Sequence, residues 1–171
     1  MKVIYACYGG AHSSPLAAAI HLGRIQGDPL PSLEDIANVL YFDIVDGEDR
    51  GRVFPVGVDE YGNEIFVLGR GSRALPIEQA VKSGFILAGA DPRQLLFVNS
   101  LRAVNWEMRI GGFLSRRLRL VALGRPLVTR GARRAYPRLV EIVNETKQYL
   151  NAAYHKAEPV YYTSDCAPNQ E

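Results

Sequence analysis

The chain opens with a short β-rich run, Lys2 to Ala6, that breaks at Cys7-Tyr8-Gly9-Gly10. The segment that follows, from Ala11 to Gly23, carries helix signals in order: Ser13 or Ser14 as N-cap, Pro15 in the first turn and Gly23 as a stop. Ala17, Ala18 and Ala19 give that helix a smooth face for close packing on a sheet. The opening is therefore a strand, a glycine loop and a helix.

Further along, residues 28–31 form a loop, and Ser32 followed by Asp35 reads as a capping box for a short helix to about Leu40. Two apolar runs, Arg52–Val58 and Glu64–Leu68, flank the five residues from Asp59 to Asn63 and predict a β-hairpin. A second strand–loop–helix step follows at Gly69–Arg73, with Pro76 at the helix start and a fade near Gly84 or Gly89. Asp91-Pro92 is a turn, Leu95–Val98 a buried-type strand, and Asn105–Arg117 a helix. Leu118–Leu123 reads as another strand ending at Gly124, Arg125–Tyr136 as irregular, and Pro137–Ala153 as a final amphipathic helix.

Strands alternating with helices predict an α/β fold, a mostly parallel sheet flanked by helices with an inserted β-hairpin. The expected organisation is a single domain over residues 1–157 and a polar tail, 158–171, that frays after about Val160. In such sheets ligands sit beyond the carboxyl ends of strands. Three segments qualify: Cys7–Ser14, Gly69–Arg73 and Asn99–Arg102. Asp91-Pro92 precedes its strand and belongs to the opposite edge.

Composition adds little to this picture and excludes several classes. With 171 residues, 47% hydrophobic and 22% charged, the chain can bury a core without staples. No run of 18 apolar residues exists, so no membrane span and no membrane partner are expected, and a cytoplasmic protein is the simplest reading. The two cysteines, Cys7 and Cys166, show no metal spacing and suit a reducing compartment, and no metal or cofactor is expected.

The net charge of +2 hides an asymmetry. Ten arginines and one acid, Glu107, lie between Arg102 and Arg138, giving that segment +9, while the rest carries −7. The segment suits either a solvated face paired with the acidic stretch Asp28–Glu64 or an anionic partner such as nucleic acid. Guanidinium forks fit phosphate and carboxylate better than ammonium groups do, and lysine is absent there.

The loop Cys7-Tyr8-Gly9-Gly10-Ala11-His12-Ser13-Ser14 is the densest chemistry in the chain. A sulfur nucleophile ends a strand, glycines allow amides to converge, and hydroxyls follow at a helix N-terminus that favours an anion. Thiolate there is favoured by nearby N–H groups. The pattern suits oxyanion chemistry at sulfur, with Cys7 as nucleophile and His12 assisting proton transfer. Gly9, Gly10, Ala11, Ser13 and Ser14 are the anion-binding candidates. Arg70, Ser72 and Arg73 in the second loop and Arg102 after the third strand are further candidates. Each has a plainer reading: Cys7 as a small buried residue, Ser13 as an N-cap, His12 as an exposed loop residue, and Asp43 and Asp46 as solvent-facing loop acids.

The pattern Cys7-x-x-Gly10-x-x-Ser13-Ser14 resembles the phosphocysteine loop of sugar phosphotransferase IIB components, a loop architecture shared with low-molecular-weight tyrosine phosphatases and arsenate reductases. The phosphatases place an arginine where this chain has Ser13, so the carrier-type loop is the nearer likeness. The longer segments Cys7–Ser14 and Val67–Ser72 resemble a family of uncharacterised bacterial proteins of about this length, which implies boundaries but no activity. The expected function is phosphate or oxyanion handling, with cysteine-dependent phosphatase or phosphoryl transfer as one form. The alternatives are a non-catalytic binding module for a phosphorylated metabolite or nucleotide, and RNA or protein interaction through Arg102–Arg138.

Overall fold

The structure, a computed structural model, describes residues 1–26, 30–45 and 47–156. Asp28, Asp46, Cys166 and the tail 158–171 lie outside the described residues, as does the boundary expected at 157. The elements are β1 (Lys2–Cys7), α1 (Ser13–His21), α2 (Leu33–Ala37), β2 (Val53–Val58), β3 (Glu64–Gly69), α3 (Ala74–Leu87), β4 (Leu95–Asn99), α4 (Trp106–Gly112), a π-helical turn (Phe113–Arg117) and α5 (Val121–Lys156).

The sheet order is β2-β3-β1-β4. β1 runs parallel to both β3 and β4, and β2 returns antiparallel on β3 with an irregularity between Pro55 and Gly57. The fold is thus α/β with the expected hairpin at one edge. Strand alternation sends Val3, Tyr5, Ile65 and Val67 into the main core under α1 and α5. Ile4, Ala6 and Leu68 face the other way, against Ile77 and Val81 of α3.

Several local signals take the predicted form. Ser32 and Asp35 complete a reciprocal capping box, and the hairpin loop is the five residues 59–63. α2 ends at Ala37, short of Leu40, and α3 runs through Gly84 to Leu87.

The C-terminal third differs. Residues 118–123 form no strand and 125–136 are not irregular: one helix runs from Val121 to Lys156, with Pro126 and Pro137 inside it. Its buried ladder, Val128, Ala132, Ala135, Leu139, Ile142 and Leu150, has the three-and-four spacing of a helix face and packs into the main core. That burial outweighs the hydrogen bond each proline removes. Gly124 is a contact rather than a stop. A Cβ there would overlap the Ser115 amide nitrogen, and one at Gly111 would lie 2.5 Å from the Val128 amide nitrogen. Glycine lets α4 and the π-helical turn cross α5 backbone to backbone.

Candidate functional site

The site grows from the end of β1. Hydrogen bonding between the β1 and β3 segments continues past the strands, with the Arg70 amide donating to the Cys7 carbonyl (2.9 Å) and Gly71 to Tyr8 (2.8 Å). Gly10 turns back with φ +74°, and a Cβ there would sit 2.8 Å from the Gly69 nitrogen. The two loops are therefore pressed together where only glycine fits.

This turn drives the chain back over the Cys7 side chain, which is 4% exposed. Its Sγ accepts the Gly10 N–H at 3.2 Å and lies 3.1 Å from Ser14 Oγ in a second hydrogen bond. The helix N-cap is His12, and Ser13 and Ser14 fall inside the first turn. Neither serine caps the helix, contrary to the expectation that Ser13 or Ser14 would be its N-cap. Ser14 goes to the sulfur. Ser13 Oγ meets Ser100 Oγ at 3.2 Å; Ser100 donates its own proton to the Ala6 carbonyl, so Ser13 is the donor between them. The amides of Ala11, His12, Ser13 and Ser14 have no hydrogen-bond acceptor among the described residues.

His12 is neither an exposed loop residue nor bonded to Cys7. Its Nε2 donates to Asp43 Oδ1 at 3.1 Å, and its ring packs edge-on to Phe42 and against Gly112. Asp43 is a correction: it is buried, not solvent-facing. Its carboxylate also accepts the Ser115 hydroxyl on both oxygens at 2.9 Å, and Arg116 Nε lies 3.1 Å away as an ion pair. Burial pushes the Asp43 carboxyl up, but the His12 and Ser115 hydrogen bonds and the neighbouring positive groups outweigh it and leave it below the usual range. Tyr41 and Asp43 both adopt positive φ, at 67° and 53°, and the π-helical turn supplies Ser115 and Arg116. Strained backbone and π-turns concentrate at functional sites.

The predicted arginines go elsewhere. Arg70 is buried and pairs with Glu78 of α3 at 2.5 Å. Ser72 and Arg73 are exposed. Arg102 is exposed and lies 3.6 Å from Glu145. Of the basic segment, Arg116 pairs with Asp43 of the acidic stretch, Arg125 and Arg133 donate to the Ala37 and Pro31 carbonyls within it, and Arg134 and Arg138 pair with Glu107 and Glu141. Among the described residues no group of three His, Cys, Asp or Glu side chains is placed to hold a metal ion. Ser100 lies in the Asn99–Arg102 strand end that the sequence marked, whereas Ser115 and Arg116 carried no signal for this site, since long-range packing alone brings them to Asp43.

A second buried polar set lies under α1. Tyr5 OH and His21 Nδ1 are 2.7 Å apart, and His21 Nε2 donates to Asp59 Oδ2 at 3.1 Å. Burial lowers the His21 imidazole from its ordinary 6.5 and pushes the Tyr5 phenol up. This set ties β1 and α1 to the hairpin.

A family model described as a protein of unknown function, DUF3189, matches residues 2–148. The chain belongs to the DUF3189 family. The match spans β1 through most of α5, so the Cys7 loop, Asp43 and the π-helical turn all lie inside the DUF3189 region. No curated protein and no solved structure matches the chain. No helix among the described residues is long and apolar enough to cross a membrane.

Proposed function

We propose that this DUF3189 protein handles phosphate or a related oxyanion at the Cys7 loop. The observation that carries the reading is the sulfur itself: Cys7 Sγ sits beneath a glycine turn, hydrogen-bonded to the Gly10 amide and to Ser14, at a helix start whose first amides lack acceptors. The Gly10 N–H is directed at the sulfur, the Ser14 hydroxyl shares a hydrogen bond with it, and unpaired amides favour oxygen atoms carrying negative charge.

In the catalytic form, Cys7 thiolate attacks phosphorus. The bond from phosphorus to the leaving oxygen breaks, that oxygen takes a proton from water or His12, and water then hydrolyses the phosphocysteine. Arg116, paired with Asp43, takes the place expected of Arg70 or Arg73. Asp43 and Ser115 act as positioning residues through His12 and Arg116.

The burial of Cys7 favours a second reading, a binding module without turnover. One experiment separates the two. In a Cys166→Ser background, the rate of Cys7 alkylation is followed against pH with and without inorganic phosphate. Hydrolysis of an aryl phosphate is measured alongside. Phosphate protection with turnover lost in Cys7→Ser supports catalysis; protection without turnover supports binding. Alkylation indifferent to phosphate, with hydrolysis intact in Cys7→Ala, overturns both.

A further inference from the structure

The outward face of α4 and the turns that follow it are built unlike the rest of the surface. Trp106, Ile110 and Phe113 recur at helical spacing and are 63%, 47% and 54% exposed. The opposite face of the same helix is buried through Glu107, Met108 and Gly111. The chain then folds back through Leu120, whose amide donates to the Leu114 carbonyl. That turn leaves Leu118, Leu120 and Leu123 exposed. Large apolar groups contiguous in this way mark an interaction surface.

The charge among them has one sign. Arg109, Arg117 and Arg119 are exposed and pair with no carboxylate among the described residues. Glu107, the one acid of this segment, is buried and held by Arg134, Asp43 beneath Ser115 and Arg116 is buried as well, and along the chain no further acid occurs before Glu141. From Trp106 to Leu123 the neutral hydrogen-bonding side chains are the Trp106 indole, which is exposed, and Ser115, which is buried on Asp43. The surface therefore offers hydrocarbon, an indole and guanidinium groups, with no exposed carboxylate in the segment, so the complementary surface is anionic and apolar at once. Nucleic acid would use the arginines but leave the leucines in water. An anionic lipid surface uses all three: phosphates pair with arginine, the indole lies at the headgroup level, and leucine and phenylalanine enter the acyl boundary.

We propose that this face seats on an anionic bilayer surface, placing the protein as a peripheral rather than a spanning membrane protein. The sequence expectation of no membrane partner rested on the missing apolar span, and surface seating needs none.

Trp106 is the only tryptophan and reports directly on the patch. The full chain is titrated with vesicles of phosphatidylcholine containing about a third phosphatidylglycerol, and with phosphatidylcholine alone. The expected result is a blue shift of Trp106 emission and cosedimentation with the anionic vesicles only, both reversed by salt. Each of Arg109→Gln, Arg117→Gln and Arg119→Gln lowers partitioning about fivefold. Phe113→Ser with Leu123→Ser abolishes it without moving the melting temperature, because both side chains are exposed. No shift with anionic vesicles, or equal binding to neutral ones, overturns the proposal. So does an emission change with homopolymer RNA and none with vesicles, or a dimer dispersed by Leu123→Ser that ignores lipid.

Discussion

Gly69 and Gly9 meet backbone to backbone: a Cβ on Gly69 would lie 2.8 Å from both the carbonyl carbon and the oxygen of Gly9. The exit of β3 is thereby the mould for the turn after β1. Gly69→Ala should force that turn outward. The expected cost is about 1–3 kcal/mol, typical of overpacking, seen as a lower urea midpoint. Alkylation of Cys7 should quicken in the same variant as the sulfur loses its cover. Unchanged values of both would show that the contact is not rigid.

Ser14 is expected to matter through sulfur. Ser14→Ala leaves Cys7 with the Gly10 amide alone and removes one hydrogen bond, at a cost of about 1 kcal/mol. Cysteine alkylation at fixed pH in a Cys166→Ser background should change its rate, while Ser13→Ala, which loses the Ser100 contact, should not alter that rate. Equal rates in the two variants would remove Ser14 from the chemistry.

Asp43 joins three elements, so Asp43→Asn should cost about 2–4 kcal/mol by weakening its bonds to His12, Ser115 and Arg116. The carboxyls of Asp43 and Asp59 are both held below the usual range in the fold. Their stabilisation is present above the unfolded carboxylate value of about 3.9 and is lost as pH falls through the folded values. Denaturant titrations between pH 5 and pH 3, taken as about one to two units around that value, should show a shallower acid loss in Asp43→Asn than in the parent.

His21 titrates in the opposite chemical sense and a different window. Its folded value lies below 6.5, so the fold prefers the neutral ring. Above the unfolded value this costs nothing; as pH drops below it the unfolded chain takes up the proton first and stability falls. Unfolding free energy should therefore decline between about pH 7 and pH 5. His21→Gln, which can still bond Tyr5 or Asp59, should flatten that part of the profile. A parent protein whose stability is constant there would contradict the buried neutral ring.

Gly124→Ala tests the helix crossing. The added methyl would overlap the Ser115 amide and press on Gly111, so a loss above about 1–3 kcal/mol is expected. Because Ser115 holds Asp43, the same variant should loosen the site, read as faster exchange of the amides around Ser115.

Much of the fold was legible because its cues are local. The capping box at Ser32 and Asp35, the hairpin loop 59–63 and the strand–loop–helix opening each depend on a few adjacent residues. Residues 118–136 misled because the same local cues, Gly124, Pro126 and a dense run of arginines, have another use. Glycine there serves a helix crossing, and the buried ladder of α5 holds the helix through its prolines.

The candidate site divides along the same line. Residue types and spacing alone marked Cys7, Gly10, Ser13 and Ser14 as one cluster, since a tight turn followed by a helix start needs only neighbours in the chain. That Ser14 rather than His12 meets the sulfur follows from the path of the turn, and that His12 is spent on Asp43, that Ser13 meets Ser100 and that Arg116 rather than Arg70 joins the cluster were decided by packing between segments distant in the chain. Hydrogen-bond direction and side-chain reach are properties of three-dimensional neighbours, and no pattern along the chain encodes them.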